Sequence, residues 1–502
     1  MTGRMRRIGA RASGFPRSVS RWSGRMRLST AVALAVLAGV VLAAVAEWVL
    51  FVAFHPQRGG TSVDVTKLAL TVVGGVGGVV ALVIAYRRQR DVEQGRFVER
   101  FGAAAAQLGA TDVAVRIAGV YAMAGVADES DGLRRQQCID VLCGYLRLPY
   151  DPEHGSSGRT KRIVTTPSAR TAENLDPGKV EEHQEYRQND REVRATIVRV
   201  IASRLRPAAE YDWSARDFDF RTAYLEDADF SGTTFLGAAR FDHATFSGDA
   251  RFDGATFSGA EFANATFSRA AGFATATFSG DAGFDHASFS GDAEFVGATF
   301  LRAARFSHAS FSGGAEFVRA SFSLGAEFVD ASFSGTAEFV GATFYRAARF
   351  ATATFSGDAE FARASFSGDA EFVDATFSGT AEFGHASFSG DAEFVGASFS
   401  GTAEFVGTTF SGAARFSTAT FSGTAEFASA SFSGTAEFAS VAFSGATWFS
   451  GVAFGTETVS FAGPARWGPP APVFDWDENI SHKPANVEPH EWPPTVAAPP
   501  AP

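Results

Sequence analysis

The sequence predicts a mainly β protein: a solenoid wound around phenylalanine, preceded by two transmembrane helices and a small α-helical cytoplasmic module. Three observations carry that prediction. Phe supplies 51 of the 502 residues, and through most of the second half it recurs at steps of five and six. The residue two positions before each such Phe is nearly always Ala. Two long apolar runs near the N-terminus carry Arg clusters at their outer ends.

Composition narrows the possible functions. Gly numbers 52, but Cys only 2. Two cysteines exclude a disulfide framework and a metal site built from four thiolates, and no paired His follows to complete a zinc finger. Cys138 and Cys143, in a reducing compartment, read as core thiols rather than a redox pair. A net charge of −11 argues against a nucleic-acid wrapper, so no direct nucleic-acid contact is expected.

The N-terminal elements follow from charge and hydropathy. Residues 1–28 form a basic arm with eight Arg and no acid. Residues 29–54 hold the apolar run Ala31–Phe54, longer than the ~20 residues a membrane-crossing helix needs. A loop, 55–67, leads to a second span, 68–86, closed by Arg87, Arg88 and Arg90. The positive-inside rule places the N-terminus and everything after Tyr86 in the cytoplasm, making this a multi-pass protein of the inner or plasma membrane. Ala44-Val45-Ala46 also fits a signal-peptidase site, although apolar sequence continues through Val52. Gly74 and Gly78 fit close helix contact within the pair or across a homo-oligomer; small-residue filler accounts for them equally well.

Residues 87–212 carry stripes at helical spacing, such as Ile139, Leu142, Cys143 and Leu146, then Val193, Ile197, Val200, Ile201 and Leu205. Between these two stripes, 151–190 is polar and broken by Pro152, Pro167 and Pro177, the marks of a mobile insertion. The helix ending at Leu205 is placed to cap whatever follows.

From 213 to 462 the chain repeats an eleven-residue unit, as in Phe388-Ser-Gly-Asp-Ala-Glu-Phe394-Val-Gly-Ala-Ser. A short internal repeat means a solenoid whose units bury apolar surface only by stacking. Phe and the Ala two before it point to one side of an extended segment. Gly and Ser after the Phe supply a corner. Ala228-Asp229-Phe230-Ser231-Gly232 shows the unit at its shortest, and here the chain resembles a pentapeptide-repeat protein. That resemblance implies a right-handed quadrilateral β-helix. Alternating steps of five and six give a coil of about 22 residues with a looser corner. The variant Ala-Ala-Arg-Phe, ending at Phe241, Phe306, Phe350 and Phe416, supports four sides. Its later gaps are 44 and 66, and its first gap of 65 contains the one shortened step, Phe257 to Phe262. About eleven coils at ~4.8 Å make a rod of roughly 50 Å.

That register sorts the outward residues. One side carries Glu294, Glu316, Glu338, Glu360, Glu382, Glu404 and Glu426, the candidate binding face. The opposite side reads Arg305, Glu327, Arg349, Glu371, Glu393, Arg415, Glu437, and the other two sides carry Thr or Ser. Like charges ~4.8 Å apart repel by about 1 kcal/mol in bulk water. Two explanations of the acidic column stand side by side: a copied unit that carries its Glu along, or an electrostatic face for a basic protein partner.

The expected function is therefore a non-catalytic membrane-anchored scaffold. The alternative implied by the resemblance is a DNA-mimicking modulator of a topoisomerase or another nucleic-acid-binding protein. A rod filled with Phe offers no substrate pocket, and no cofactor or metal is expected, although His286, His308 and Asp330 fall in one column. The tail, 463–502, is Pro-rich, with the segment around Phe474 and Trp476 placed to cover the last coil or, alternatively, to dock a partner.

Overall fold

Alternate residues of an extended chain face opposite ways, and this builds the wall of the solenoid. In Ala359-Glu360-Phe361 the Ala and Phe are buried and the Glu is turned outward. The computed structural model describes residues 62–152, 158–161, 183–186 and 190–497, with isolated positions between 41 and 52. The chain divides into two compact units, Met1–Glu99 and Arg100–Pro502.

The membrane anchor requires correction. Ser62–Leu108 is one 47-residue helix, α1. The predicted second span, 68–86, is internal to it, and the helix runs on through Arg87, Arg88 and Arg90 into further charge. Among the described residues no helix is long and apolar enough to cross a membrane. The two transmembrane helices, and with them the multi-pass membrane placement, are not supported. The predicted first span, 29–54, lies almost wholly outside the described residues.

In the second unit, α2 (Val113–Asp128) packs against α3 (Gly132–Leu146) and α4 (Asp190–Leu205). A buried polar knot ties the three together. Arg116 Nη1 donates to Asp190 Oδ1 at 2.5 Å and to the Tyr145 hydroxyl at 3.1 Å, and Tyr145 in turn donates to Asp190. Burial, reinforced by Asp190, pushes the Tyr145 hydroxyl up to about 12. Burial also raises the thiols of Cys138 and Cys143 to about 11 and about 12, as expected of core cysteines. Of the predicted insertion 151–190, the described residues include an antiparallel pair, Gly158–Lys161 with His183–Tyr186.

The solenoid has four parallel sheets of 13, 12, 12 and 10 strands. Every strand pairs with the one a full turn away, as Ala337–Glu338 does with Ala359–Glu360. It makes about twelve right-handed turns, against the eleven expected. Inside, the rings stack in columns. Phe350 lies between Phe328 and Phe372, with centroids 4.8 and 4.9 Å away and planes within 3° of parallel. It meets Phe339 and Phe361 edge-on at 5.4 Å. Both geometries suit the aromatic quadrupole, and the stacking distance matches the strand spacing.

The two kinds of corner differ. The five-residue step from Phe361 to Phe366 turns through a type II turn, in which Ala364 N donates to Phe361 O at 3.0 Å and Arg363 takes φ +57°. The six-residue steps that read Ser-Gly, as at Ser378-Gly379, are tight rather than loose. A Cβ on Gly379 would lie 2.6 Å from Gly357 O in the previous coil, so the backbone approaches there more closely than any side chain allows.

Both ends are covered. At the N-terminal end α3 and α4 lie against the first coil. Gln136 Nε2 donates to Asp217 O at 2.7 Å, Arg194 Nη2 donates to Tyr224 O at 3.0 Å, and Arg147 pairs with Asp219. At the other end the tail folds back. Arg466–Trp467, Val473–Phe474 and Val487–Glu488 extend three of the four sheets. Phe474 stacks on Phe449 at 4.6 Å, and Trp492 stands edge-on to Phe474 at 4.9 Å. An open solenoid end would expose unpaired strand edges, and these aromatic residues close it.

Three outcomes follow in chemical denaturation of the full-length chain. Phe350→Ala, which removes one ring from the middle of a column, is expected to cost about 3–5 kcal/mol. Gly379→Ala is expected to cost about 1–3 kcal/mol. Gly325→Ala, where a Cβ meets nothing within 4 Å, should stay within ~0.5 kcal/mol of wild type. Equal effects of the two glycine replacements would contradict the close-approach account.

Candidate functional site

The walls of the coil follow one another as mixed face, first hydroxyl face, acidic face and second hydroxyl face. Strand register makes the acidic face continuous. Glu294 pairs with Glu316, Glu338 with Glu360, Glu382 with Glu404, and Glu404 with Glu426. The two missing links, Glu316 to Glu338 and Glu360 to Glu382, are also in register. All seven predicted residues therefore stand in one column, bounded by Gly272 below and Trp448 above.

No Lys or Arg interrupts this column, and the carboxyls respond to one another. Glu316, Glu360 and Glu404 are held above the usual carboxylate range. Partial burial against the wall is the first cause, and the Glu in the coils on either side is the second.

The mixed face, opposite, behaves differently. Its four Ala-Ala-Arg units do land together, with Arg240, Arg305, Arg349 and Arg415 in one sheet. Arg349 reaches Glu327 at 3.3 Å and Glu371 at 3.4 Å, one coil to either side. Arg415 reaches Glu393 at 2.8 Å and Asp391 at 3.0 Å, and Arg305 reaches Asp285 at 3.0 Å. One wall thus neutralises itself while the other accumulates charge.

The histidine column forms as the register predicts. His286 and His308 stack with centroids 4.6 Å apart, and His308 Nδ1 lies 3.7 Å from Asp330 Oδ2. Asp330 Oδ1 accepts from Thr352 Oγ1 at 2.6 Å. Among the described residues no group of three or more His, Cys, Asp or Glu side chains is placed to hold a metal ion.

Sequence reasoning missed the left-handed corner positions. His243, His286, His308 and Asp330 all take φ between +55° and +57°, an unusual setting for residues other than glycine. The available signal was positional: glycine fills the equivalent place at Gly297, Gly341 and Gly407.

Against this geometry stands one family match. The model of pentapeptide repeats fits the chain in nine overlapping copies between residues 220 and 431, including 220–266, 295–343 and 383–431. The chain is a pentapeptide-repeat protein. No curated protein and no solved structure matches it. The pentapeptide-repeat rod therefore has its fold from its family, and the face chemistry belongs to this chain's own residues.

The raised carboxyls make a pH prediction. Each folded-state pKa lies above the ordinary value of 4.5, so in that range the folded rod binds more protons than the unfolded chain. Stability should then fall as pH rises through the window just above 4.5 and be regained on acidification through it. Replacing Glu316, Glu360 and Glu404 together by Gln should raise the thermal midpoint at pH 7 and flatten its pH profile over that window. A lower midpoint at pH 7 would show that the column is not under repulsion.

Proposed function

We propose that the pentapeptide-repeat rod is a non-catalytic scaffold that recognises a basic protein surface through Glu294–Glu426. The single observation behind this reading is the contrast between opposite walls. Seven carboxylates in register lack any counter-charge, although the same fold neutralises charge across the rod through Arg305, Arg349 and Arg415. A basic partner would supply the missing charge and relieve the repulsion, so the free energy held in the unpaired column favours association. The interior supports a binding role over a catalytic one, since rings fill the axis where a substrate pocket would have to be.

A DNA-mimicking modulator of a topoisomerase is the weaker reading, because a duplex presents two phosphate rows and this rod carries one uncompensated column.

The test is affinity capture with full-length protein. A basic partner should be recovered at about 0.1 M salt and lost near 1 M, where the screening length falls from ~10 Å to ~3 Å. The Gln variant at Glu316, Glu360 and Glu404 should fail to recover it. Recovery indifferent to both salt and substitution would overturn the electrostatic face.

A further inference from the structure

The second hydroxyl face breaks its own pattern in the middle of the rod. Where it turns into the mixed face, the six-residue corner reads Ser-Gly at Ser279-Gly280, Ser367-Gly368 and Ser389-Gly390. The glycine has a packing reason: a Cβ on Gly390 would lie 2.5 Å from the Gly368 carbonyl carbon. Three successive coils nevertheless replace the pair, with Leu301-Arg302, Ser323-Leu324 and Tyr345-Arg346. The new side chains face outward. Tyr345 is 54% exposed, Leu301 45% and Leu324 37%, and both arginines are exposed. Packing inside the rod gives no reason for the change.

Strand register aligns these corners. Thr299, Ser321 and Thr343, which precede them, are partners in one sheet. Arg302, Leu324 and Arg346 therefore rise in a single column at ~4.8 Å per coil, with Leu301 and Tyr345 beside it. Across the same wall, at its edge with the acidic face, stand two further exposed arginines, Arg319 and Arg363. From edge to edge, 295–304, 317–326, 339–348 and 361–368 hold these four Arg and no acid. Among the described residues, the rod arginines in ion pairs are Arg221, Arg251, Arg305, Arg349 and Arg415. The four arginines of this wall are not among them. A row of hydroxyls is thus framed by uncompensated arginines, with Leu324 at the centre of one side of the frame.

We propose that this wall is a second docking site, which takes an acidic amphipathic α-helix of a partner protein lengthwise along the corner column. Spacing selects the helix. Arg302 and Arg346 are two coils apart, about 10 Å, and residues i and i+7 of a helix are ~10.5 Å apart along its axis. Leu324 stands midway, level with i+3 and i+4, where such a helix carries its apolar anchors. An extended segment repeats its same-side residues every ~6.7 Å and so matches one arginine but not both. Charge selects the partner. Acids at i and i+7 meet Arg302 and Arg346, while the apolar residues between them meet Leu324, Leu301 and Tyr345. Tyr and Arg are the side chains that dominate binding energy at protein interfaces. The borders of the wall disfavour a nucleic acid, because the acidic column on one side and Glu327 and Glu371 on the other repel a polyanion that overruns it. The corner column lies a full wall from the acidic column, so this site stands without any reading of that column. The rod can then hold partners of opposite charge at once.

Fluorescence anisotropy on the full-length chain tests this, with a labelled three-heptad helical peptide carrying Glu at i and i+7 and Leu at i+3 and i+4. Wild type should bind the peptide at low salt and release it at high salt. A scrambled peptide of the same composition, and a single-stranded oligonucleotide of similar charge, should bind roughly tenfold more weakly or worse. The triple change Arg302→Gly, Leu324→Gly and Arg346→Gly restores the residue that neighbouring coils carry, so the rod should stay folded, as circular dichroism checks. It should weaken peptide binding roughly tenfold or more. Gln at Glu316, Glu360 and Glu404 should leave binding at least as tight, which separates this site from the acidic column. A wild type that does not bind the peptide, equal binding of the scrambled peptide or the oligonucleotide, or binding indifferent to the triple glycine change would overturn the proposal.

Discussion

The fixed stacking distance between phenylalanine rings governs everything else in this protein. A ring column and a parallel β-ladder have nearly the same repeat, so the core and the backbone can rise together. Phe350 N donates to Glu371 O at 2.7 Å while its ring lies 4.9 Å from that of Phe372. Neither interaction is strained to suit the other. Small Ala at the flanking inward position leaves room for four ring columns, and the glycine of the six-residue corner lets successive turns close to contact.

That constraint has an electrostatic consequence. Once the core fixes the register, any outward residue that recurs every 22 positions becomes a straight column at strand spacing. The fold cannot spread such charges apart; it can only alternate their sign or leave them unpaired. On the mixed face the sign alternates, and Arg349 bridges the coils on both sides. On the acidic face it does not, and the raised carboxyls of Glu316, Glu360 and Glu404 record the result.

The Phe and Ala periodicity made the solenoid, its four sides and the alignment of the seven Glu legible, because each depends only on spacing along the chain. What was illegible depends on contacts that spacing does not encode. His308 and Asp330 occupy left-handed corners, although their composition looks like surface filler. Of the Pro-rich tail, the segment around Phe474 and Trp476 is legible from sequence as a cover for the last coil, whereas the parts played by Trp467 and Trp492 are not. The apolar segment 68–86 reads as a discrete span because hydropathy is averaged over a window. The helix containing it ignores that window and continues to Leu108. Face chemistry was legible as pattern but not as function, since a carboxylate column looks the same whether copied or used.

Variation within the chain bears on that last ambiguity. Copying a 22-residue turn would fix the acidic and mixed faces together, because each turn carries both. They have not behaved alike. Across the coils from Glu294 to Glu426 the acidic position is invariant, whereas the opposite position changes between Arg and Glu five times from Arg305 to Glu437. The corners between the second hydroxyl face and the mixed face changed as well, at Arg302, Leu324 and Arg346, where glycine had a packing reason to persist. Duplication supplied the register, and the repeats then diverged on every wall except the one where like charges oppose stacking. Repulsion alone would favour losing those carboxylates first, so their uniformity supports the proposed recognition face.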